Sequence, residues 1–285
     1  MANDYRAELV GVLGQPVSEN PTGVMLEAAF AACGLNWRYL TIEVPPGQLG
    51  EAIRGVRAFG MKGINLTIPH KVAVIEYLDA VGESAKLIGA VNTVRLDDGR
   101  LIGENTDGQG FLRAVTGDAK IDPKGKRVVL LGAGGAARAI ATELILAGAA
   151  ELLVVNRSAV RGQTMVAGLR KSTGGNLRFE QWVGTFQVPE YADMFVNATS
   201  IGLYPNVEAM PDVDLSAVRN GTLVADAVFN PSETCLLRAA RKRGLPTLDG
   251  LSMLVYQGVI GFEIWTGRQA PESVMKQALQ NALGG

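Results

Sequence analysis

One stretch of this chain restricts its fold more than any other. Arg127-Val-Val-Leu-Leu131 is a continuous apolar run, Gly132-Ala-Gly-Gly-Ala-Ala137 is a glycine turn, Arg138 to Ala147 has helical character, and Glu151-Leu-Leu-Val-Val155 is a second apolar run. Runs of this length that lack polar alternation are strands covered on both faces, so the segment predicts a β-α-β unit of a parallel sheet. The turn fits G-x-G-x-x-(G/A), with Gly132, Gly134 and Ala137 in the three places. The first glycine permits the tight turn, the second lets a pyrophosphate approach the backbone, and the small third residue lets helix and strand pack closely. Flanked by a strand and a helix, the pattern points to a dinucleotide. A carboxylate for a free ribose 2′-hydroxyl is missing after the second strand, where Asn156-Arg157-Ser158 stands with Arg161 nearby. Two guanidinium groups match a 2′-phosphate better, which favours NADP over NAD.

The remainder reads as α/β with two domains. Before Gly108, strands at Glu8 to Leu13, Trp37 to Val44 and Gly63 to Ile68 alternate with helices at Val24 to Ala32, Gln48 to Phe59 and Lys71 to Val81. That alternation predicts a mostly parallel sheet. A helix over Gly110 to Thr116 opens the second unit, whose later strands fall at Met194 to Asn197 and Thr222 to Asp226. Helices over Met253 to Thr266 and Pro271 to Ala282 close the chain. The expected division is residues 1–107 with 250–285 as one domain and 108–249 as a Rossmann domain.

Charge and composition remove several functions. With 27 Lys+Arg against 28 Asp+Glu there is no basic surplus for nucleic acid. Cys33 and Cys235 are the only cysteines and His70 the only histidine, so neither a disulfide scaffold nor a metal cluster is expected. The most apolar late run, Leu251 to Trp265, is too short and contains Glu263, so no membrane span is expected. A soluble, cytoplasmic protein, monomeric or homodimeric, is the expectation.

Chemistry concentrates in three segments. In Asn65-Leu-Thr-Ile-Pro-His-Lys71 a strand leads into a helix with Pro69 in its first turn. Lys71 then opposes the helix dipole, a placement that suits a general acid/base better than a surface lysine. Asp107 in Glu104-Asn-Thr-Asp-Gly108 is either a helix N-cap or a functional carboxylate. Asn92 offers a carboxamide that both donates and accepts. His70, Trp37, Trp182 and Trp265 read as packing residues.

Together these segments resemble the shikimate dehydrogenase family. The matching pieces are residues 65–71, Ala90-Val-Asn-Thr93, Asn105-Thr-Asp-Gly108, Gly132-Ala-Gly-Gly-Ala136, Asn156-Arg157, Asn197-Ala-Thr-Ser200 and Gly250-Leu-Ser-Met-Leu-Val-Tyr-Gln257. The resemblance implies a substrate domain and an NADP-binding Rossmann domain with a cleft between them. It also implies reversible oxidation of shikimate to 3-dehydroshikimate, with Lys71 and Asp107 as the catalytic pair. Thr67, Asn92 and Gln257 would bind ring hydroxyls. Ala133, Gly135, Ala136, Ser158, Thr199, Val228 and Gly250 would join Gly132, Gly134, Asn156, Arg157 and Arg161 on the cofactor side.

The departures gather at one end. Where the family offers Ser-x-Ser-Pro to the substrate carboxylate, this chain has Asn20-Pro21-Thr22-Gly23, and Phe229 replaces a frequent Tyr. Asn20, Thr22 and Phe229 would then shape the substrate end. Quinate is an alternative substrate, for a catabolic quinate/shikimate dehydrogenase. A non-catalytic paralogue that senses NADP or a metabolite is the alternative of another class.

Overall fold

The computed structural model describes residues 5–283, which divide into two compact units. One runs to Thr106 and resumes at Gln257; the other is Asp107–Tyr256. Residue 107 and residues 250–256 thus pack with the middle unit, whereas the sequence pattern groups them with the termini.

The first unit comprises β1 (Glu8–Gly14), α1 (Thr22–Ala32), β2 (Trp37–Glu43), α2 (Leu49–Ala58), β3 (Gly63–Leu66), α3 (His70–Ala73), β4 (Ala80–Val81), α4 (Glu83–Ile88), β5 (Thr93–Asp97) and β6 (Arg100–Glu104). Its sheet order is β2-β1-β3-β5-β6-β4. β1 pairs parallel with β2 and β3, and β4 with β6, but β5 runs antiparallel to β3 and β6. The β5–β6 pair comes from a two-residue hairpin turn. Asp98 and Gly99 have φ of 47° and 77°, the left-handed pair that a type I′ turn requires. In α2 the buried positions Leu49, Ile53 and Val56 recur at helical spacing and face Leu13, Ile64 and Leu66 in one core.

The helix expected over Lys71 to Val81 is instead a single α-turn, a 3-10 turn over Val74–Tyr77 and the short strand β4. The reason lies in β6, which offers Gly103 and Ile102 to Val81 and Ala80, so the chain exchanges helical bonds for a ladder.

The second unit carries α5 (Thr106–Gly117), β7 (Arg127–Leu131), α6 (Gly135–Leu146), β8 (Glu151–Asn156), α7 (Ala159–Thr173), β9 (Leu177–Gln181), β10 (Phe186–Gln187), β11 (Met194–Asn197), β12 (Val213–Asp214), β13 (Leu223–Asp226), α8 (Cys235–Lys242) and β14 (Thr247–Leu248). Its main sheet, β14-β13-β11-β7-β8-β9, is parallel throughout, with β10 and β12 paired apart. Successive residues of β7 enter opposite cores: Val128 and Leu130 on one face, Val129 and Leu131 on the other. Double coverage explains why the run needed no polar alternation.

The last helices are α9 (Gly250–Thr266) and α10 (Glu272–Ala282). The division falls within α9, after Tyr256. Ser252 Oγ and Tyr256 Oη donate to Asp118 at 2.9 and 2.7 Å, whereas Trp265 Nε1 donates to Val94 O at 2.9 Å. Gly250 is constrained: a Cβ there would lie 2.4 Å from Val228 O and 2.5 Å from Val228 C, both backbone atoms.

Candidate functional site

In the Asp107–Tyr256 unit, β7 runs into a turn at Gly132 whose φ is 115°, a value that side chains rarely tolerate. A Cβ at Gly132 would also stand 2.9 Å from Ala198 O. Gly134 and Gly135 are exposed, and a Cβ on either would meet nothing within 4 Å. The protein itself therefore leaves space above these two glycines. Gly134 caps α6, whose first N–H groups at Gly135, Ala136 and Ala137 have no carbonyl one turn back to pair with. Ala137 is wholly buried, as close packing of helix on strand requires. Open backbone, unpaired N–H groups and the positive end of a helix dipole make a fitting cradle for a pyrophosphate. Ala133 lies half-buried in the turn.

At the end of β8, Asn156 Nδ2 donates to Ser158 O at 2.9 Å, and Ser158 Oγ accepts from Arg161 N at 3.4 Å as the N-cap of α7. Arg157 and Arg161 are exposed, and neither side chain has an ion pair or hydrogen bond among the described residues. Unspent donors of fixed positive charge fit a ribose 2′-phosphate.

Thr199 is held by Asn197, whose Oδ1 accepts from Thr199 Oγ1 at 2.7 Å and from Thr199 N at 3.1 Å. Val228 N donates to Asp226 Oδ1 at 3.0 Å; Asn197 Nδ2 donates to the same oxygen at 2.9 Å, and Thr234 Oγ1 to Oδ2 at 2.7 Å. Asp226, 1% exposed, thus fixes the backbone at Val228 and the cap of α8. Burial raises its carboxyl from 3.8 to about 6, against the lowering effect of these three donors. A carboxyl raised on folding favours the folded state most when protonated. Its contribution is full below pH 3.8 and disappears as pH rises through about 6, a loss on the order of 3 kcal/mol. In melts from pH 4 to 8, Asp226→Asn is expected to remove that decrement; an unchanged pH dependence would contradict it.

The first unit holds the candidate acid/base lysine. His70, 1% exposed, binds Val44 O through Nε2 at 2.7 Å and so is structural, as expected. Lys71 follows, half-buried, with its carbonyl accepting from Val91 N at 2.7 Å. Its helix has four residues, so the dipole argument for this lysine loses most of its force. Asp107 is the second residue of α5, in the first turn and not the N-cap, because the helix begins four residues earlier than expected. The early start comes from Asn92, 3% exposed, whose Oδ1 accepts from Thr106 N at 2.7 Å while Nδ2 donates to Thr106 Oγ1 at 3.0 Å. Asn92 therefore anchors the start of α5 besides any role toward a ligand.

Beside Asn92 lies a polar network that sequence reasoning missed. Tyr39 Oη donates to Asn65 Oδ1 at 2.8 Å, and Asn65 Nδ2 donates to Thr93 Oγ1 at 3.0 Å. Burial pushes the Tyr39 phenol well above its ordinary value, so it stays a neutral donor. The available signal was Asn65 within an otherwise apolar strand. Thr67 is half-buried, and Gly14 lets it approach, since a Cβ there would stand 2.2 Å from Thr67 Cγ2. Gln257 is 6% exposed, and its carboxamide has no hydrogen-bond partner among the described residues. At the substrate-end segment, Asn20 Oδ1 accepts from Thr22 N at 3.0 Å. Asn20 Nδ2 and Thr22 Oγ1 remain without partners among the described residues. Phe229 is half-buried in the other unit.

Among the described residues no group of three or more His, Cys, Asp or Glu could hold a metal ion, and no helix is long and apolar enough to cross a membrane.

Comparison with known proteins gives the lineage. Residues 12–94 match the shikimate dehydrogenase substrate binding domain, 117–202 the shikimate/quinate 5-dehydrogenase family and 250–280 the shikimate 5′-dehydrogenase C-terminal domain. A shikimate dehydrogenase (NADP(+)) of Moorella thermoacetica is 46% identical over 97% of this chain and 94% of its own. Among solved structures, the ligand-free 5-ketofructose reductase of Gluconobacter sp. strain CHM43 is similar at TM-score 0.94 and 47% identity, covering 98% of this chain and 100% of that one. A shikimate dehydrogenase in complex with NADP+ matches at TM-score 0.90 and 37% identity, over 97% and 96%. The chain belongs to the shikimate dehydrogenase family, as an NADP-dependent oxidoreductase of two α/β units.

Proposed function

We propose that the chain reduces 3-dehydroshikimate to shikimate, reversibly, with Lys71 and Asp107 as the acid-base pair. The unit that contains Gly132 to Ala137 binds the nucleotide, and the unit that contains Lys71 binds the ring acid. NADPH, when bound, supplies the hydride; the protein's own groups position the substrate and move the proton. Lys71 Nζ protonates the forming alkoxide oxygen, or accepts the hydroxyl proton in the reverse direction. Gln257 carries the substrate reading furthest: it is 6% exposed, and its carboxamide, unbonded to protein among the described residues, leaves a donor and an acceptor for a ligand to pair. Ring hydroxyls, which both donate and accept, meet that need, and Thr67 offers another hydroxyl nearby in sequence to Lys71. The first relatives reinforce this reading through near-complete coverage under the name shikimate dehydrogenase (NADP(+)). Quinate, which has a saturated ring and a hydroxyl on the carbon that bears the carboxylate, is oxidised at a ring hydroxyl by the same chemistry. A cytoplasmic location goes with it.

A second reading has its own observation. Residues 14–24 contain no cation, and their only charge is Glu19. The side-chain donors they offer, among them Asn20 Nδ2 and the Ser18 and Thr22 hydroxyls, suit neutral hydroxyls as well as a carboxylate. The 5-ketofructose reductase is the structural relative with 47% identity. A polyhydroxy ketone without a carboxylate is therefore the competing substrate. Initial rates with NADPH on 3-dehydroshikimate, 3-dehydroquinate and 5-ketofructose separate the two. The first reading expects kcat/KM for 3-dehydroshikimate to exceed that for the ketose by at least about tenfold, the worth of one charge-assisted hydrogen bond. A higher value for 5-ketofructose would overturn it in favour of the second.

A further inference from the structure

Trp182 follows β9 and is 8% exposed, inside the core that also contains Val155 and Phe186. Packing alone does not account for its surroundings. Its indole Nε1 donates to Gly184 O at 2.9 Å and to Asp212 O at 3.2 Å, which fixes the plane of the ring. Its backbone N–H donates to Asn156 O at 3.0 Å, one residue before Arg157. The adjoining Gln181 donates through Nε2 to Arg157 O at 3.4 Å. Over the fixed ring lies Arg157, with its guanidinium carbon 4.9 Å from the ring centroid.

The type of contact matters. Two other exposed arginines on this unit meet carboxylates: Arg219 meets Asp193 and Arg241 meets Glu233. Arg157 has no such partner among the described residues. A carboxylate would take up the N–H groups and neutralise the charge. An aromatic face holds the same cation through its quadrupole and leaves every N–H unspent. The result is an arginine restrained in place and still fully able to donate.

We infer that Trp182 is a positioning residue for cofactor selection, holding Arg157 ready for a ribose 2′-phosphate. This rests on the reading of Arg157 as the 2′-phosphate ligand. NADH lacks that phosphate, so the benefit belongs to NADPH alone. A cation–π contact at a partly exposed site, with the side-chain ordering that it spares on binding, corresponds to about a threefold to tenfold change in affinity.

Equilibrium binding of NADPH and NADH by calorimetry tests this on the intact protein. Trp182→Leu is expected to raise the NADPH Kd about threefold to tenfold and leave the NADH Kd unchanged. Trp182→Phe keeps an aromatic face with a milder packing change, so its NADPH Kd is expected to lie between wild type and Leu, and it serves alone if the Leu variant does not fold. In an Arg157→Ala background, Trp182→Leu should add no further loss for NADPH. An equal rise for both cofactors, or additive losses in the double variant, would overturn the role of Trp182. If Arg157→Ala by itself leaves the ratio of the two Kd values unchanged, the assignment of Arg157 fails first and the role of Trp182 with it.

Discussion

Lys71→Ala is expected to lower kcat by about a hundredfold to ten-thousandfold, the range typical for loss of a general acid/base. The backbone at this position is held from both sides, by His70 on Val44 O and by Val91 N on Lys71 O, so the fold should survive loss of the amine. NADPH binding, measured by calorimetry, should stay near wild type, because the phosphate cradle belongs to the other unit. Lys71→Arg separates proton transfer from charge. Arginine keeps the cation but does not release its proton, so it should be nearly as inactive as alanine. Turnover above a tenth of wild type in the Ala variant would remove the assignment. Only an absence of turnover in the unsubstituted protein would revive the non-catalytic, metabolite-sensing reading.

Arg157→Ala should weaken NADPH by about tenfold to a hundredfold, since hydrogen bonds to a charged group contribute about 1.5–3 kcal/mol. NADH has no phosphate at that position and should bind as before, so the preference for NADPH falls by the same factor. The interaction is exposed to solvent, so salt should reduce the difference between wild type and variant. Titrations of both cofactors at low and at 0.5 M salt check both points. Equal losses for the two cofactors would mean that Arg157 acts on the fold and not on the phosphate.

The nucleotide unit was the more legible half. Its inner strands β7, β8, β11 and β13 are largely apolar because both faces are covered, and its turn is marked by glycines whose reasons are local. The first unit was harder, because distant residues decide its boundaries. Asn92 starts α5 at Thr106 from outside the helix, which no window around Gly110 could show. β6 captures Ala80 and Val81 from what reads as a continuing helix. The β5–β6 hairpin was missed although Asp98-Gly99 carries its turn signal, since Arg95, Asp97 and Arg100 dilute the alternation on either side. In the candidate site, chemistry-bearing residue types were found from sequence, but their commitments were not. Asn92 caps a helix, Asp226 bridges a strand to a helix cap, and Trp182 lies under a guanidinium. Each of these depends on partners far along the chain.

The contact of Gly250 with the backbone at Val228 bears on how such a chain could be recombined with its relatives. The two strands of chain come from separate stretches, about twenty residues apart, yet they fit only because one position carries hydrogen alone. A chimera that took 223–228 from one parent and 247–256 from another would set two independently evolved backbones against each other at this point. Crossovers placed outside both stretches keep the pair matched, and a shuffled library should recover viable progeny mainly from those.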